Sequence, residues 1–191
     1  VLFGLPLVLA PLHIAFLELV IDPACSIVFE AEEGAANLMQ QPPRTADEPL
    51  LSARHILLSV LQGSVVTAAV VGLYAWLLGQ PAYAATASTA AFVVLVTANA
   101  ALILPSRSNQ PRWRSLWAGL TPVSLWVIGG TLAALTTITT VPWLSGAFKF
   151  VPLPALHWLL ALMAGLALTV AFVANQRWLQ NAKSAPQSPT A

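Results

Sequence analysis

Long apolar runs separated by short polar stretches set the pattern of this chain. Five of them come close to the roughly 20 residues that a membrane-spanning helix needs. They cover Leu7 to Phe29, Ile56 to Leu78, Ala84 to Leu104, Leu116 to about Thr136, and Leu153 to about Ala174. The pattern predicts an all-α membrane protein, a bundle of five transmembrane helices. Residues 1–30 are then a first transmembrane helix, 31–55 a cytoplasmic Pro-rich loop, 56–178 the four-helix remainder of the bundle, and 179–191 a disordered cytoplasmic tail.

The first run carries the chemistry. At its centre stands Glu18-Leu19-Val20-Ile21-Asp22-Pro23. A carboxylate at mid-membrane costs at least several kcal/mol, so an intramembrane acid points to function, and here there are two. Positions four apart lie about 40° apart around a helix and about 6 Å apart along it, so Glu18 and Asp22 can share one face and clamp one cation. Pro23 has no N–H to offer the carbonyl of Leu19, and its ring crowds that carbonyl, so the helix should kink or open here. Loose backbone at membrane depth is tolerated only inside protein or along a cavity, where its carbonyls can serve ions. The Leu19 carbonyl therefore joins the two carboxylates as a candidate oxygen ligand. An all-oxygen set suits calcium, sodium or protons better than zinc or copper. The alternative is a proline bend whose acids pair with a Lys, Arg or Asn of another helix.

Two more polar residues, Thr97 and Asn99, sit in the third run. They either bond to a neighbouring helix or face the Glu18 and Asp22 pocket. The small residues Gly129, Gly130, Ala161 and Gly165 permit close helix packing.

Composition agrees with a membrane bundle and narrows the function. The 191 residues are 58% hydrophobic and 8% charged, with a mean hydropathy of +0.77; a soluble domain carries about 25% charged residues. A net charge of +1 without a basic, aromatic-laced patch gives no sign of nucleic acid as a partner. The single cysteine, Cys25, excludes an internal disulfide and reads as a small core residue. No phosphate-cradling glycine loop, no His pair at metal-ligand spacing and no nucleophile with a nearby base is present, so no catalytic residue or cofactor site is assigned to this chain. His13, five residues before Glu18, reads as an interfacial histidine, with a place on an access path as the other option. The chain begins with Val, and its first apolar segment is too long and too acidic for a signal peptide, which predicts the C-terminal part of a longer polypeptide.

Charge orients the spans. Arg44, Arg54, Arg107, Arg112, Arg114, Arg177 and Lys183 fall on one face, and only Lys149 on the other. By the positive-inside rule the richer face is cytoplasmic, which places the C-terminus inside. The acids of the loop from Glu30 to Arg54 read as a solvated surface, with docking to a cytoplasmic domain as the alternative. Arg112, Trp113, Arg114 and Trp117 read as an interfacial anchor. The stretches Gly79 to Tyr83 and Thr137 to Pro152 read as compact external turns.

The order of parts resembles the C-terminal membrane region of P-type ATPases, nearest the calcium-pump and sodium/potassium-pump branch. Leu17-Glu18-Leu19-Val20-Ile21-Asp22 looks like that family's sixth membrane helix. Gln41-Pro42-Pro43-Arg44 followed by Glu48-Pro49-Leu50-Leu51-Ser52 is similar to its signature between the sixth and seventh helices. Val94-Leu95-Val96-Thr97 looks like the eighth helix, and Phe148-Lys149-Phe150 with Pro152-Leu153 like the approach to the tenth. The resemblance implies that Glu18 and Asp22 are cation ligands and that Asn99 stands where two-site calcium pumps carry a Glu. Ile21 replaces a usual Thr, and Pro23 a usual Gly. It also implies an ATP and magnesium site, a phosphorylated Asp and five further helices upstream, and a calcium, sodium/potassium or proton cargo. The competing readings are a stand-alone or degenerate membrane subunit with a structural role, and half of a secondary transporter; no inverted repeat supports the last.

Overall fold

The computed structural model describes residues 7–21, 26–28, 30, 53–106 and 121–184, and every regular element among them is helical. The expected all-α bundle is what forms. Helix α1 (Pro11–Phe16) passes directly into a π turn over Leu17–Ile21. Helix α2 spans Ala53–Leu78, and a 3-10 turn at Ala84–Thr86 leads into α3 (Ala87–Ser106). Helix α4 spans Pro122–Thr140, α5 is the short Pro142–Ala147, and α6 spans Ala155–Ser184. Among the described residues three stretches are long and apolar enough to cross a membrane: Ser59–Leu78, Ala84–Leu102 and Pro122–Thr140. Pro11–Val20 and Ala155–Ala171 are shorter apolar segments. Asp22, Pro23, Cys25, residues 31–52 of the acidic loop and the Arg112–Trp117 cluster lie outside the described residues.

Helix α3 is the centre of the bundle. Two-thirds of its span (67%) is buried, against 17% for α2 and 28% for α4. A helix apolar on all sides belongs inside, and the side chains of α3 are mostly small. Ala87, Ala91, Val93, Val96 and Ala98 are wholly buried around its circumference, with Phe92 as the one large exception. Small side chains let neighbours approach on every face. Helix α2 lays Val66, Val70, Tyr74 and Leu77 against this core and leaves Val60, Leu61, Val65 and Trp76 on the outside. The burial is one-sided, and the other face is apolar and uncovered among the described residues.

Helix α6 packs on α3 along Ala161, Gly165 and Thr169, all buried and four residues apart. Gly165 is indispensable to this contact: a Cβ there would stand 2.8 Å from Thr97 Cβ and 3.1 Å from the backbone nitrogen of Ala98. Gly129 and Gly130 have open space where a Cβ would go. Of the small residues in the chain, then, Gly165 is used for close packing and that pair is not.

Two boundaries differ from the hydropathy reading. Helix α4 continues through Thr140, and α5 occupies part of what reads as a turn after Thr136. The reason is chemical: the hydroxyls of Thr136, Thr137, Thr139 and Thr140 donate to backbone carbonyls four residues back, at 2.6–2.8 Å. A threonine run that looks polar is thus satisfied within the helix and costs little at membrane depth. Thr121 caps the other end, accepting the Ser124 N–H at 3.2 Å. Helix α6 likewise runs to Ser184, past residue 179 where the sequence placed the start of the tail.

The connection between α5 and α6 turns on Lys149, whose φ of 54° is left-handed. The Phe150 N–H donates to the Ser145 carbonyl at 2.8 Å and the Lys149 N–H to that of Gly146 at 3.1 Å, which closes a Schellman cap. Glycine is the usual residue at this position, and a side chain there costs about 1–2 kcal/mol. Neighbouring contacts hold the turn in place. Thr89 Oγ1 donates to the Val151 carbonyl and accepts the Val151 N–H, each at 3.1 Å.

Candidate cation site

Glu18 lies in the π turn, the widened i→i+5 form that concentrates at functional positions. The sequence explains why the helix leaves its ordinary register here. In an α-helix the Leu19 carbonyl would face the nitrogen of Pro23, which has no hydrogen. The opening expected of the Leu19–Pro23 pair therefore coincides with a π turn.

The segment has two faces. His13 and Phe16 are buried, and Leu17 and Val20 are half-buried against the core formed by α3 and its neighbours. Glu18 and Leu19 point the other way, with Leu19 79% exposed. No hydrogen bond or ion pair restrains the Glu18 carboxylate among the described residues. A carboxylate on the open side of an apolar segment needs either water or further polypeptide against it.

Helix α3 touches the π turn, and Asn99 lies half-buried on that helix, also without a hydrogen bond among the described residues. Thr97 and Asn99 cannot serve one pocket together, because residues two apart point to nearly opposite sides of a helix. Thr97 is 3% exposed and faces Gly165 of α6. Its Oγ1 is buried without a hydrogen-bond partner among the described residues. Neither reading of Thr97 from sequence describes what is seen. The residue opposite has no side chain to bond, and the Gly165 carbonyl takes the Thr169 hydroxyl instead, at 3.3 Å. Replacing the Thr97 hydroxyl by a methyl, Thr97→Val, should therefore stabilise the bundle by about 1 kcal/mol through relief of an unpaired buried donor. Thermal unfolding in detergent measures this, and a lowered midpoint would show that the hydroxyl has a partner.

His13 is the residue whose placement the sequence misjudged. It is 2% exposed, with no interfacial or access-path position. Its ring lies among Phe92, Phe148 and Phe150, with centroids 5.0, 5.8 and 4.5 Å away. No sequence signal marked this cage: His13, Phe92 and the Phe148–Phe150 pair lie more than 50 residues from one another, and only the fold unites them.

Among the described residues no group of three His, Cys, Asp or Glu side chains converges. Glu18 and the backbone carbonyls of the widened turn are oxygen donors, the kind that a hard cation takes.

A bundle of long apolar helices with an acid in an irregular turn of its first apolar segment has the make-up of an integral membrane domain. Over residues 6–178 the chain matches the family described as cation transporting ATPase, C-terminus, and it belongs to that family. It is also 27% identical over 186 residues to proteins named probable cation-transporting ATPase F from Mycobacterium bovis and Mycobacterium tuberculosis. Those alignments take in 96% of this chain but 20% of each relative, so the chain spans about a fifth of the length of the curated relatives it matches.

Proposed function

We propose that the chain is the C-terminal membrane-transport domain of an ATP-driven cation pump, with Glu18 and Asp22 as ligands of the transported ion. The Leu19 carbonyl and Asn99 complete the oxygen set. The observation that carries this reading is Glu18 in a π turn, on the face of α1 turned away from this chain's own core. Such a carboxylate belongs to an interface with helices supplied from elsewhere in the polypeptide, and the family match fits an upstream remainder of that kind. ATP and magnesium act there, on residues that this chain does not contain.

In this reading, phosphorylation upstream repacks the helices around Glu18 and Asp22. The cation is driven across because it binds the two arrangements with different affinity; equal affinity would move nothing. In this reading protons move in the opposite direction as the counter-ion. The lipid bilayer surrounds the outer faces of α2 and α4. A bacterial plasma membrane, with the C-terminus on the cytoplasmic side, fits the relatives and the distribution of arginines.

The test uses the full-length polypeptide in sealed vesicles. Calcium, sodium, potassium and protons are varied one at a time while ATP hydrolysis and lumenal pH are followed. One cation should stimulate hydrolysis and accumulate against its gradient, with a lumenal pH change of opposite sense. A polypeptide whose hydrolysis responds to none of them is not a cation pump, and the structural-subunit reading then takes over.

A further inference from the structure

We propose that His13 is a positioning residue for the cation site, fixing the direction of Glu18 by locking α1 to the Phe148–Phe150 turn. The proposal rests on the reading of Glu18 as a ligand. Both ring nitrogens are engaged: the Ala10 N–H donates to Nδ1 at 3.0 Å, and Nε2 stands 2.8 Å from the Phe148 carbonyl. The first partner can only donate and the second only accept, so the ring is neutral, with its proton on Nε2. One imidazole thus closes the first turn of its own helix and bonds to a turn 135 residues away.

An apolar side chain would fill the aromatic cage equally well, and would avoid burying two ring nitrogens. What histidine adds is the pair of hydrogen bonds. Their specificity shows in the second histidine at the same helix position. His157 is the third residue of α6, as His13 is of α1. There the residue at the cap is Pro154, which has no N–H, and the His157 Nδ1 is buried without a hydrogen-bond partner among the described residues. The bond from Ala10 is therefore not a general property of a histidine in a first helical turn.

The lock acts on Glu18 through the backbone of α1. No partner among the described residues holds the carboxylate, so the path of α1 and its π turn decides where it points. Two looser tethers hold the segment before α1: Ser88 Oγ to the Val8 carbonyl at 3.0 Å, and Tyr74 Oη to the Leu7 carbonyl at 3.4 Å. His13 is the tether nearest the site. Its far partner is fixed in turn, through the Lys149 cap and the Thr89 bonds to Val151. A line of rigid contacts thus joins α3, the turn, His13 and the helix that carries Glu18.

The test measures cation-stimulated ATP hydrolysis of the full-length pump for His13→Phe, His13→Gln, Ala10→Pro and Glu18→Gln, together with thermal unfolding. His13→Phe keeps the stacking and loses both hydrogen bonds. It should raise the half-stimulating cation concentration about tenfold, the factor carried by losing a buried hydrogen bond, with maximal turnover changed less than about twofold. His13→Gln, whose amide can accept and donate as the ring does, should return the concentration to near the parental value. Ala10→Pro removes only the N–H donated to Nδ1 and should shift it less than His13→Phe does. If His13→Phe fails to accumulate, Ala10→Pro carries the test. A lowered unfolding temperature with unchanged half-stimulating concentration in the variants that fold overturns the proposal and leaves His13 a purely structural clamp. Should Glu18→Gln itself leave the cation dependence unchanged, it is the assignment of Glu18 that fails.

Discussion

Gly165→Leu should prevent the bundle from accumulating in the membrane. Even Gly165→Ala places a Cβ at 2.8 Å from Thr97 Cβ and 3.0 Å from its Cγ2. Threonine is β-branched and stiff at χ1 in a helix, so it cannot swing aside. The third neighbour, the Ala98 nitrogen at 3.1 Å, is backbone and cannot move without its helix. Relief requires α3 and α6 to separate along the whole stripe from Ala161 to Thr169. Overpacking of this kind costs about 1–3 kcal/mol for one extra methyl, and a leucine adds three further carbons to the same gap. Expression yield and the melting midpoint in detergent should fall in the order glycine, alanine, leucine. The combination Thr97→Gly with Gly165→Ala exchanges knob and hole and should recover part of the loss, since residues in direct contact couple strongly. A Gly165→Leu protein with parental yield and midpoint would mean that α3 and α6 do not pack as described.

The second large effect is functional. Asp22→Asn in the full-length protein should abolish cation-stimulated ATP hydrolysis, and Glu18→Gln should weaken cation affinity by about 30-fold or more, the scale on which removing one member of a desolvated charge pair acts. Both substitutions keep the shape of the side chain and one oxygen, so a loss reports charge at the site and not a cavity. In a structural subunit the same changes would alter assembly or yield and leave any hydrolysis by a partner unaffected. Measuring both yield and turnover separates the two outcomes.

Much of the fold was legible beforehand because bilayer thickness acts on composition directly. A chain with 8% charged residues and apolar runs of about 20 has few ways to satisfy its backbone other than helices. Helix ends were less legible. The threonines of α4 looked like a turn by hydropathy, because a hydropathy value cannot show that a hydroxyl bonds to its own helix four residues back. The candidate site was half legible: Glu18 stands out as an acid in an apolar run, and the proline at position 23 announces irregular backbone. Thr97 was misleading for the opposite reason, since a polar residue in a sequence gives no sign of whether its neighbour offers a partner.

The sequence by itself determined the class of the protein, the presence of an acid in its first membrane segment and the local break in helical register. These depend on local chemistry: transfer of side chains into lipid, and a proline that lacks an N–H. Only the tertiary structure decided which helix lies at the centre, that Gly165 and not Gly129 or Gly130 carries the close contact, and that Phe16 faces the core while Glu18 faces away from it. It also decided that His13 is caged by phenylalanines from two distant segments. Those facts depend on which faces meet, and meeting is settled by the joint packing of all the helices, which no single stretch of the chain encodes.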